Sequence, residues 1–308
     1  MRVAVVDIGT NSTRLLVADV DGLTGAVEEL DRRSTVTRLG AGVDATGRLS
    51  DEGMARVFAA LDEYLVAIDA LGGVAALPAV LTSAARDAEN GAEFTRRVRE
   101  DYGLDARTIA GEEEARLSYL GATSGRTGAR GTLVVLDIGG GSTELIVGEG
   151  PDLRFHVSTQ AGVVRQSERH IHHDPPLARE IDALASEAGE IFRAAVPKEL
   201  RAQVTAMVAV AGTATSLAAI DQDLDPYDAA KVHGYVVSLG SCEVIRDRLA
   251  AMTEAERRSV TGLHPDRAPT IVAGCVFLVE ALRAFGLGAT EVSEHDILYG
   301  VALQATVV

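Results

Sequence analysis

The sequence is poor in the residues that build disulfide scaffolds, cysteine-based metal centres or basic binding faces. Its 308 residues include only two cysteines, Cys242 and Cys275, which excludes a disulfide framework and a cysteine-based zinc site and favours reduced thiols. Lys and Arg number 29 against 45 Asp and Glu, so the formal net charge is −16. An acidic chain of this kind is not expected to bind nucleic acid or an anionic membrane, because both need a basic face.

Long hydrophobic runs are also absent. Asp7 interrupts the apolar N-terminal segment where a signal peptide would build its core. The longest apolar stretch, residues 270–287, contains Glu280 and Arg283, which favours a buried or amphipathic helix over a membrane span. With 47% hydrophobic and 24% charged residues, the composition is that of a globular protein long enough for two domains. We therefore expect a cytoplasmic protein without a membrane segment.

An internal repeat organises what is present. Residues 5–17 align without gaps with residues 135–147, and eight positions are identical, including Asp7 with Asp137 and Gly9 with Gly139. Each copy is an apolar run, a turn rich in glycine, serine and threonine, and a second apolar run, which predicts a β-hairpin with a glycine-rich tip. Two copies 130 residues apart predict two similar domains.

The remainder alternates helical and strand patterns, which predicts α/β domains whose sheets are covered by helices. Helices are predicted at 54–71, 92–102, 112–120 and 177–196, and strands at 77–82 and 205–211. The polar connector at 121–131 is the best boundary between the domains.

The twin glycine turns indicate a paired phosphate clamp. Successive backbone N–H groups in such a turn form an anion-binding concavity, and glycine lets an anion approach closely. A tight turn does not need an aspartate at the end of the preceding buried strand, and burying a carboxylate without a partner is costly. Asp7 and Asp137 are therefore expected to bind a cation, or the water around one.

An acidic segment, Glu112-Glu113-Glu114, opens the helix predicted at 112–120. One interpretation is a first turn that complements the helix dipole. The other is catalytic: Glu114, Ser118 and Gly121 share a small polar helix face suited to a cleft wall, and a carboxylate there could deprotonate an attacking water.

Two further segments could contact phosphate. Arg86 follows the strand predicted at 77–82, and a guanidinium binds phosphate bidentately, although a surface role at a helix end is the simpler alternative. Gly212-Thr213 opens a helix after the strand predicted at 205–211. Helix N-termini bind anions, but this signal is weak alone.

In this order, the segments Val6–Ser12, Thr82–Arg86, Gly111–Arg116, Asp137–Glu144 and Gly212–Thr215 resemble the exopolyphosphatase/guanosine pentaphosphate phosphatase (Ppx/GppA) family. The resemblance covers essentially the whole chain and is closest to the short, actinobacterial-type exopolyphosphatases. It implies two actin-like (ribonuclease H-like) α/β domains flanking an interdomain cleft. The first would comprise residues 1–122 and a returning C-terminal segment, 290–308, with a helix at about 296–306 that packs on the first domain, and the second residues 123–289.

The resemblance also implies roles for individual residues. Glu114 matches the catalytic base, and Arg86 matches an arginine that contacts phosphate. Asp137 and Glu144, with Asp7, match the acidic residues that hold Mg²⁺, for which Mn²⁺ could substitute. The positions that match phosphate-binding turns are Asn11, Ser12, Gly139, Gly140, Gly141, Ser142, Gly212 and Thr213.

The implied reaction is hydrolysis of the terminal phosphoanhydride of inorganic polyphosphate, releasing orthophosphate, and the resemblance implies a homodimer. An acidic surface repels a long polyanion, so short chains are the expected substrates. Hydrolysis of guanosine pentaphosphate at the same site is the nearest alternative. A regulator that binds polyphosphate or nucleotide without turnover is a second, and a kinase or ATPase of the wider superfamily is a third.

Several polar segments are interpreted as structural. Residues 172–176 (His-His-Asp-Pro-Pro) could bind a metal, but a solvated turn is the simpler interpretation. Arg267 could lie near the mouth of the cleft, but a helix start is the simpler interpretation there. Residues 293–296 (Ser-Glu-His-Asp) predict the cap of the final helix.

Overall fold

The computed structural model describes residues 1–126 and 131–306, apart from the side chain of Asp44. The chain forms two compact units, Met1–Thr127 with Asp296–Val308, and Gly128–His295. Residues 127–130 of the predicted connector lie outside the described residues, and its first residues, 121–123, continue a helix instead of forming a loop.

The first unit is built on a five-stranded sheet. Its order is β3-β2-β1-β4-β5; the first three strands are antiparallel, and β4 and β5 extend the sheet in parallel from β1. The strands are β1 (Arg2–Ile8), β2 (Ser12–Val20), β3 (Val27–Val36), β4 (Pro78–Leu81) and β5 (Asp105–Thr108). β1 is buried almost throughout, as expected for a central strand rich in valine.

The helices of this unit are α1 (Val43–Thr46), α2 (Asp51–Ala70), α3 (Ser83–Asp87), α4 (Gly91–Tyr102) and α5 (Gly111–Thr123). The helices predicted at 54–71, 92–102 and 112–120 are confirmed as α2, α4 and α5. α2 begins earlier than predicted because the Ser50 hydroxyl accepts a hydrogen bond from the Gly53 amide at 3.1 Å. Val57, Leu61 and Tyr64 of α2 are buried in the core beside this sheet.

The second unit repeats the arrangement with six strands in the order β10-β11-β9-β6-β7-β8. They are β6 (Thr132–Ile138), β7 (Thr143–Glu149), β8 (Asp152–Thr159), β9 (Val204–Val210), β10 (Val236–Ser238) and β11 (Ala289–Val292). The meander β6-β7-β8 is antiparallel, and β9 lies parallel to β6, as β4 does to β1. Both hairpins therefore have the register that the sequence repeat predicts.

Helices cover this sheet as well: α6 (Val163–His170), α7 (Ala178–Ala195), α8 (Lys198–Arg201), α9 (Ala211–Asp221), α10 (Ala229–Val232), α11 (Leu239–Ala250), α12 (Glu254–Arg257) and α13 (Ile271–Phe285). α13 is the apolar stretch of the sequence, and all but one of its residues are buried. Within residues 1–126 and 131–306, no helix combines the length and the apolar character needed to cross a membrane.

The last helix, α14 (Ile297–Gln304), belongs to the first unit. It packs on β1 and β2 with Val3, Val5 and Leu16, and on α5 with Leu117. The sequence placed the return to the first domain at residue 290. In the structure β11 pairs with β9 and β10, so the return begins at Asp296.

The segment predicted as a solvated turn at 172–176 is tied to buried Glu180 at the start of α7. The carboxylate accepts hydrogen bonds from the amides of His172 (3.2 Å) and Leu177 (3.0 Å) and contacts the His173 ring at 2.7 Å. Burial alone would raise the pKa of Glu180, but these hydrogen bonds outweigh it and lower the pKa to about 2. The charged form of Glu180 thus stabilises the fold.

We expect Glu180→Gln to lower the free energy of unfolding in a pH-dependent way. The difference in free energy of unfolding between wild type and variant should have its full size above pH 4.5, the usual pKa of this carboxyl group. It should shrink as the pH falls toward about 2. Denaturant titrations across this range measure it, with exposed Glu190→Gln on the same helix as control. A difference that does not vary with pH would contradict the assignment.

Candidate functional site

The first glycine turn joins β1 to β2. The Gly9 amide donates to the carbonyl of Ser12 at 3.0 Å, and a Cβ at Gly9 would lie 3.1 Å from the same oxygen. The amides of Thr37 and Arg38 both donate to the Asn11 carbonyl. Asn11 and Ser12, predicted to bind phosphate, are thus held in a turn whose shape is fixed by backbone hydrogen bonds, with both side chains partly exposed.

Asp7 ends the strand before this turn and is 3% exposed. Its Oδ2 accepts hydrogen bonds from Nε and Nη2 of Arg14 at 2.9 and 2.6 Å, and Asp7 and Arg14 are directly opposite in the hairpin. Burial raises the pKa of Asp7, and Arg14 opposes that rise. The cation that Asp7 contacts in the structure is thus the guanidinium of Arg14, in the same hairpin, and the role of Asp7 in binding a metal ion stays a prediction. Asp7 Oδ1 is buried and has no hydrogen-bond partner within the described residues.

Arg14 also connects Asp7 to the C-terminal helix. Its Nη1 donates to Oδ2 of Asp296 at 2.5 Å, and Nη2 of Arg32 donates to the same oxygen at 3.0 Å. Asp296 is 2% exposed, and its Oδ1 accepts from the Leu298 amide, which caps α14 as predicted. Two arginines thus compensate the buried carboxylates of Asp7 and Asp296.

The second glycine turn joins β6 to β7 and repeats the first. The Gly139 amide donates to the carbonyl of Ser142 at 2.9 Å. The amides of Val163 and Val164, at the start of α6, donate to the carbonyls of Gly139 and Gly140, both at 3.0 Å. Hydrogen bonds from the start of α6 thus hold this turn in shape. All four residues predicted to bind phosphate here are partly exposed: Gly139, Gly140, Gly141 and Ser142.

The electrostatics of the second hairpin differ from those of the first. Asp137 lies directly opposite Glu144 in the register, at the positions that Asp7 and Arg14 occupy in the first unit. Oε1 of Glu144 accepts hydrogen bonds from the hydroxyls of Ser142 (2.6 Å) and Ser158 (2.8 Å), which fix the carboxylate. Like charges opposite each other destabilise a sheet, and a bound cation reverses that effect.

These two carboxylates are a chemically suitable pair for Mg²⁺, which prefers oxygen ligands and retains several waters. In residues 1–126 and 131–306, no group of three or more His, Cys, Asp and Glu side chains is arranged to hold a metal ion. A metal at Asp137 and Glu144 would therefore complete its coordination with water or substrate oxygens, as Mg²⁺ does at phosphate-binding sites.

Arg86 and Glu114 are brought together in the first unit. Nη1 of Arg86, on α3, donates to Oε2 of Glu114, on α5, at 3.0 Å and to the Ile109 carbonyl at 3.1 Å. Both side chains remain partly exposed. The predicted base and the predicted phosphate-binding cation are thus in direct contact.

Glu114, Ser118 and Gly121 were predicted to form one face of α5 that lines a cleft. This prediction is wrong beyond the first turn of α5. Ser118 is 5% exposed, and a Cβ at Gly121 would lie 1.8 Å from the carbonyl oxygen of Asp296. This face of α5 is covered by α14, a contact between residues too distant in the sequence for helical spacing to reveal.

The third glycine turn opens α9. Ala211 has a φ of 62°, and Gly212 follows it. Thr213 is buried and packs against Gly274 of α13, so its predicted phosphate contact would come from its backbone amide. A Cβ at Gly212 would lie 1.4 Å from Nη1 of Arg267, so this guanidinium covers the turn. The sequence favours a helix start for Arg267 over a place at the cleft mouth, and nothing in the sequence links residues 212 and 267.

Comparison with known proteins agrees with this description. Residues 16–305 match the Ppx/GppA phosphatase family. The chain is 39% identical to Exopolyphosphatase 2 of Mycobacterium tuberculosis over 98% of each chain, and 29% identical to Exopolyphosphatase 1 of Mycobacterium bovis over 99% of this chain and 88% of the relative. These matches confirm the predicted enzyme class, a phosphoanhydride hydrolase.

Solved structures give the same result. A crystal structure of the Aquifex aeolicus member of the Ppx/GppA family matches with a TM-score of 0.85 and 32% identity, covering 99% of this chain and 97% of that one. An exopolyphosphatase from Cytophaga hutchinsonii matches with a TM-score of 0.86 and 25% identity over 99% and 98% of the two chains. The predicted fold class, two α/β actin-like domains, is confirmed.

Removal of Arg14 tests how much its ion pairs with Asp7 and Asp296 stabilise the first unit. We expect Arg14→Met to lower the free energy of unfolding at neutral pH by roughly 3–5 kcal/mol, because it leaves buried Asp7 without its cation and weakens the compensation of Asp296. The loss should decrease at acidic pH, because burial raises the pKa of Asp7 and protonation removes the buried charge.

The matched control is Arg33→Met, since Arg33 is an exposed arginine of β3 paired with Asp31. Surface ion pairs of this type contribute about 0–1 kcal/mol. Equal losses for the two variants in denaturant titrations would contradict the account of the network.

Proposed function

The chain belongs to the Ppx/GppA phosphatase family, and we propose that it hydrolyses the terminal phosphoanhydride bond of inorganic polyphosphate and releases orthophosphate. Two lines support the substrate. Its relatives are named exopolyphosphatases, and each unit presents a glycine turn whose residues are partly exposed. The contact between Arg86 and Glu114 carries the assignment of the reaction.

Glu114 is the general base in this proposal. The Arg86 guanidinium contacts the Glu114 carboxylate at 3.0 Å. If Arg86 also binds an oxygen of the terminal phosphate, the phosphorus atom lies beside Glu114. Glu114 accepts a proton from water as the water oxygen forms a bond to phosphorus. The bridging P–O bond breaks, and the shortened chain leaves with the bridging oxygen.

Each unit, taken by itself, offers fixed donors for phosphate oxygens of the substrate. The amides of Gly140, Gly141 and Ser142 and the guanidinium of Arg267 over Gly212 provide such donors in the second unit. Asn11 and Ser12 provide them in the first. Because hydrogen bonds to the protein hold these turns in shape, little reorganisation is needed during the reaction.

Asp137 and Glu144 are the residues that would hold Mg²⁺, and the same oxygen ligands would accept Mn²⁺. A bound divalent ion supplies Lewis-acid neutralisation of phosphate charge. Asp7, which the sequence also assigned to metal binding, is paired with Arg14, so its role in this proposal is to hold Arg14 and the end of β1.

The net charge of −16 bears on the substrate's length. A long polyanion extends over the acidic surface, whereas a short chain makes its contacts only at the local donors. Screening limits this repulsion to about 8 Å at physiological salt, so the effect is a preference for short chains, strongest at low ionic strength.

Substrate comparison tests the proposed function. Phosphate release is measured with Mg²⁺ from short polyphosphate, long polyphosphate, guanosine pentaphosphate and ATP at equal concentrations of terminal phosphate. We expect the highest kcat/KM for short polyphosphate, and a smaller advantage over long polyphosphate as salt is raised. Release from guanosine pentaphosphate alone would assign the site to the nucleotide, and a preference for long chains would contradict the charge argument.

Removing the base is a second test. Glu114→Gln keeps the size of the side chain but cannot accept the proton, so kcat should fall by about 100- to 10,000-fold. Glu113→Gln is the matched control, because Glu113 is its neighbour on α5 and is paired with Arg107. Equal activity of the two variants would reject Glu114 as the base.

Metal removal tests the carboxylate pair. We expect a chelator to abolish phosphate release and Mg²⁺ to restore it. Asp137→Asn should require a higher Mg²⁺ concentration for half-maximal rate, because it removes one of two charged ligands. Asp152→Asn, at the start of β8, is the control. A Mg²⁺ dependence unchanged by Asp137→Asn would remove Asp137 from the metal site.

A further inference from the structure

The helix that carries Glu114 touches the C-terminal helix through two glycines. A Cβ at Gly121 of α5 would lie 1.8 Å from the carbonyl oxygen of Asp296, and a Cβ at Gly300 of α14 would lie 1.9 Å from the carbonyl oxygen of Leu117. Neither glycine has a positive φ, so space, and not backbone conformation, requires glycine at these positions. Backbone faces backbone on both sides, and no side chain can rotate away to accommodate a methyl group.

This contact lies on the same helix as the proposed base. Glu114 precedes Gly121 by seven residues, which is two helical turns and roughly 10 Å along the axis. A hydrogen-bonded helix of this length moves as one body, so a displacement at Gly121 or Leu117 also displaces Glu114. A shift at this helix crossing would therefore change the position of the Glu114 carboxylate relative to Arg86.

The other partner in the contact, α14, is itself fixed to the first glycine turn. Asp296 caps α14 through the Leu298 amide and accepts from Arg14 at 2.5 Å. Arg14 in turn holds Asp7, two residues before Gly9. Tyr299 lies in the first turn of α14, and its hydroxyl donates a hydrogen bond to the carboxylate of Glu29 on β3 at 3.1 Å. The start of α14 is thus anchored to the strands that carry the turn.

We propose that Gly121 and Gly300 are positioning residues for the reaction: they set the distance at which α5 lies against α14, and thereby place Glu114 relative to Arg86 and the first glycine turn. This inference rests on the proposed function, since it gives Glu114 the role of base. It assigns a role in turnover to two residues that touch no substrate, and it extends the Asp7–Arg14–Asp296 network to the base.

The test compares turnover with binding. Gly300→Ala and Gly121→Ala must each separate the helices by about an ångström, and a misplacement of that size can cost about 100-fold in rate. We expect kcat for short polyphosphate to fall by that factor in each variant. Gly240→Ala is the control, because Gly240 also lies in a helix but its Cβ would meet only the Ser238 hydroxyl at an ordinary 3.8 Å.

Binding is measured in the Glu114→Gln background, where turnover does not interfere. Adding Gly300→Ala to Glu114→Gln should leave the Kd for short polyphosphate unchanged, because the turns that hold phosphate are not displaced. A Kd that weakens in proportion to the loss of kcat would show general disruption and overturn the inference. Glycine variants that turn over at the wild-type rate would overturn it as well.

Two further results separate the inference from its premise. If Glu114→Gln retains full activity, the proposed base and the positioning role fail together; if it is inactive while the glycine variants are active, only the positioning role fails. Asp296→Asn, which preserves side-chain size, replaces the glycine variants if these do not fold by circular dichroism. It should lower kcat several-fold, and a wild-type kcat would overturn the inference.

Discussion

A buried or half-buried carboxylate at the end of the first hairpin strand is the constraint on which both units depend. Asp7 and Asp137 occupy equivalent positions before equivalent glycine turns. Each brings a negative charge to the end of an apolar strand, where it is costly unless compensated. In the first unit Arg14 supplies the compensating charge from the opposite strand. In the second unit the opposite residue is Glu144, so the same hairpin presents two carboxylates and becomes suited to a divalent cation.

This difference in charge explains much of the first unit's construction. Arg14 neutralises Asp7 and also binds Asp296, which brings the end of the chain back to the strand that precedes the first turn. α14 then packs on β1, β2 and α5, and α5 carries Glu114. One arginine therefore links the turn, the C-terminal helix and the proposed base. In the second unit, α6 holds the hairpin through hydrogen bonds to the carbonyls of Gly139 and Gly140.

The sequence was sufficient for both hairpins and for the helices α2, α4, α5 and α7, and insufficient for the short helices and for contacts between distant helices. The repeat predicted both hairpins because two apolar runs joined by a short glycine-rich turn determine a hairpin locally. The pairing of Asp7 with Arg14 was not predicted, although position 14 is where the repeat changes charge, from Arg14 to Glu144. The burial of Ser118 and the Gly121–Asp296 contact were not predicted either, because they depend on how α14 packs on α5. Arg267 over Gly212 was missed for the same reason.

The second hairpin is proposed to bind a metal ion because Glu144 stands where the first hairpin has Arg14. The substitution Glu144→Arg gives the second hairpin the aspartate–arginine pair of the first hairpin and tests whether Glu144 is needed for metal binding. Mn²⁺ binding to wild-type protein and to this variant is measured by electron paramagnetic resonance. We expect a folded variant in which the introduced guanidinium pairs with Asp137 and the Mn²⁺ site of the wild type is lost. Mn²⁺ binding with unchanged affinity would contradict it.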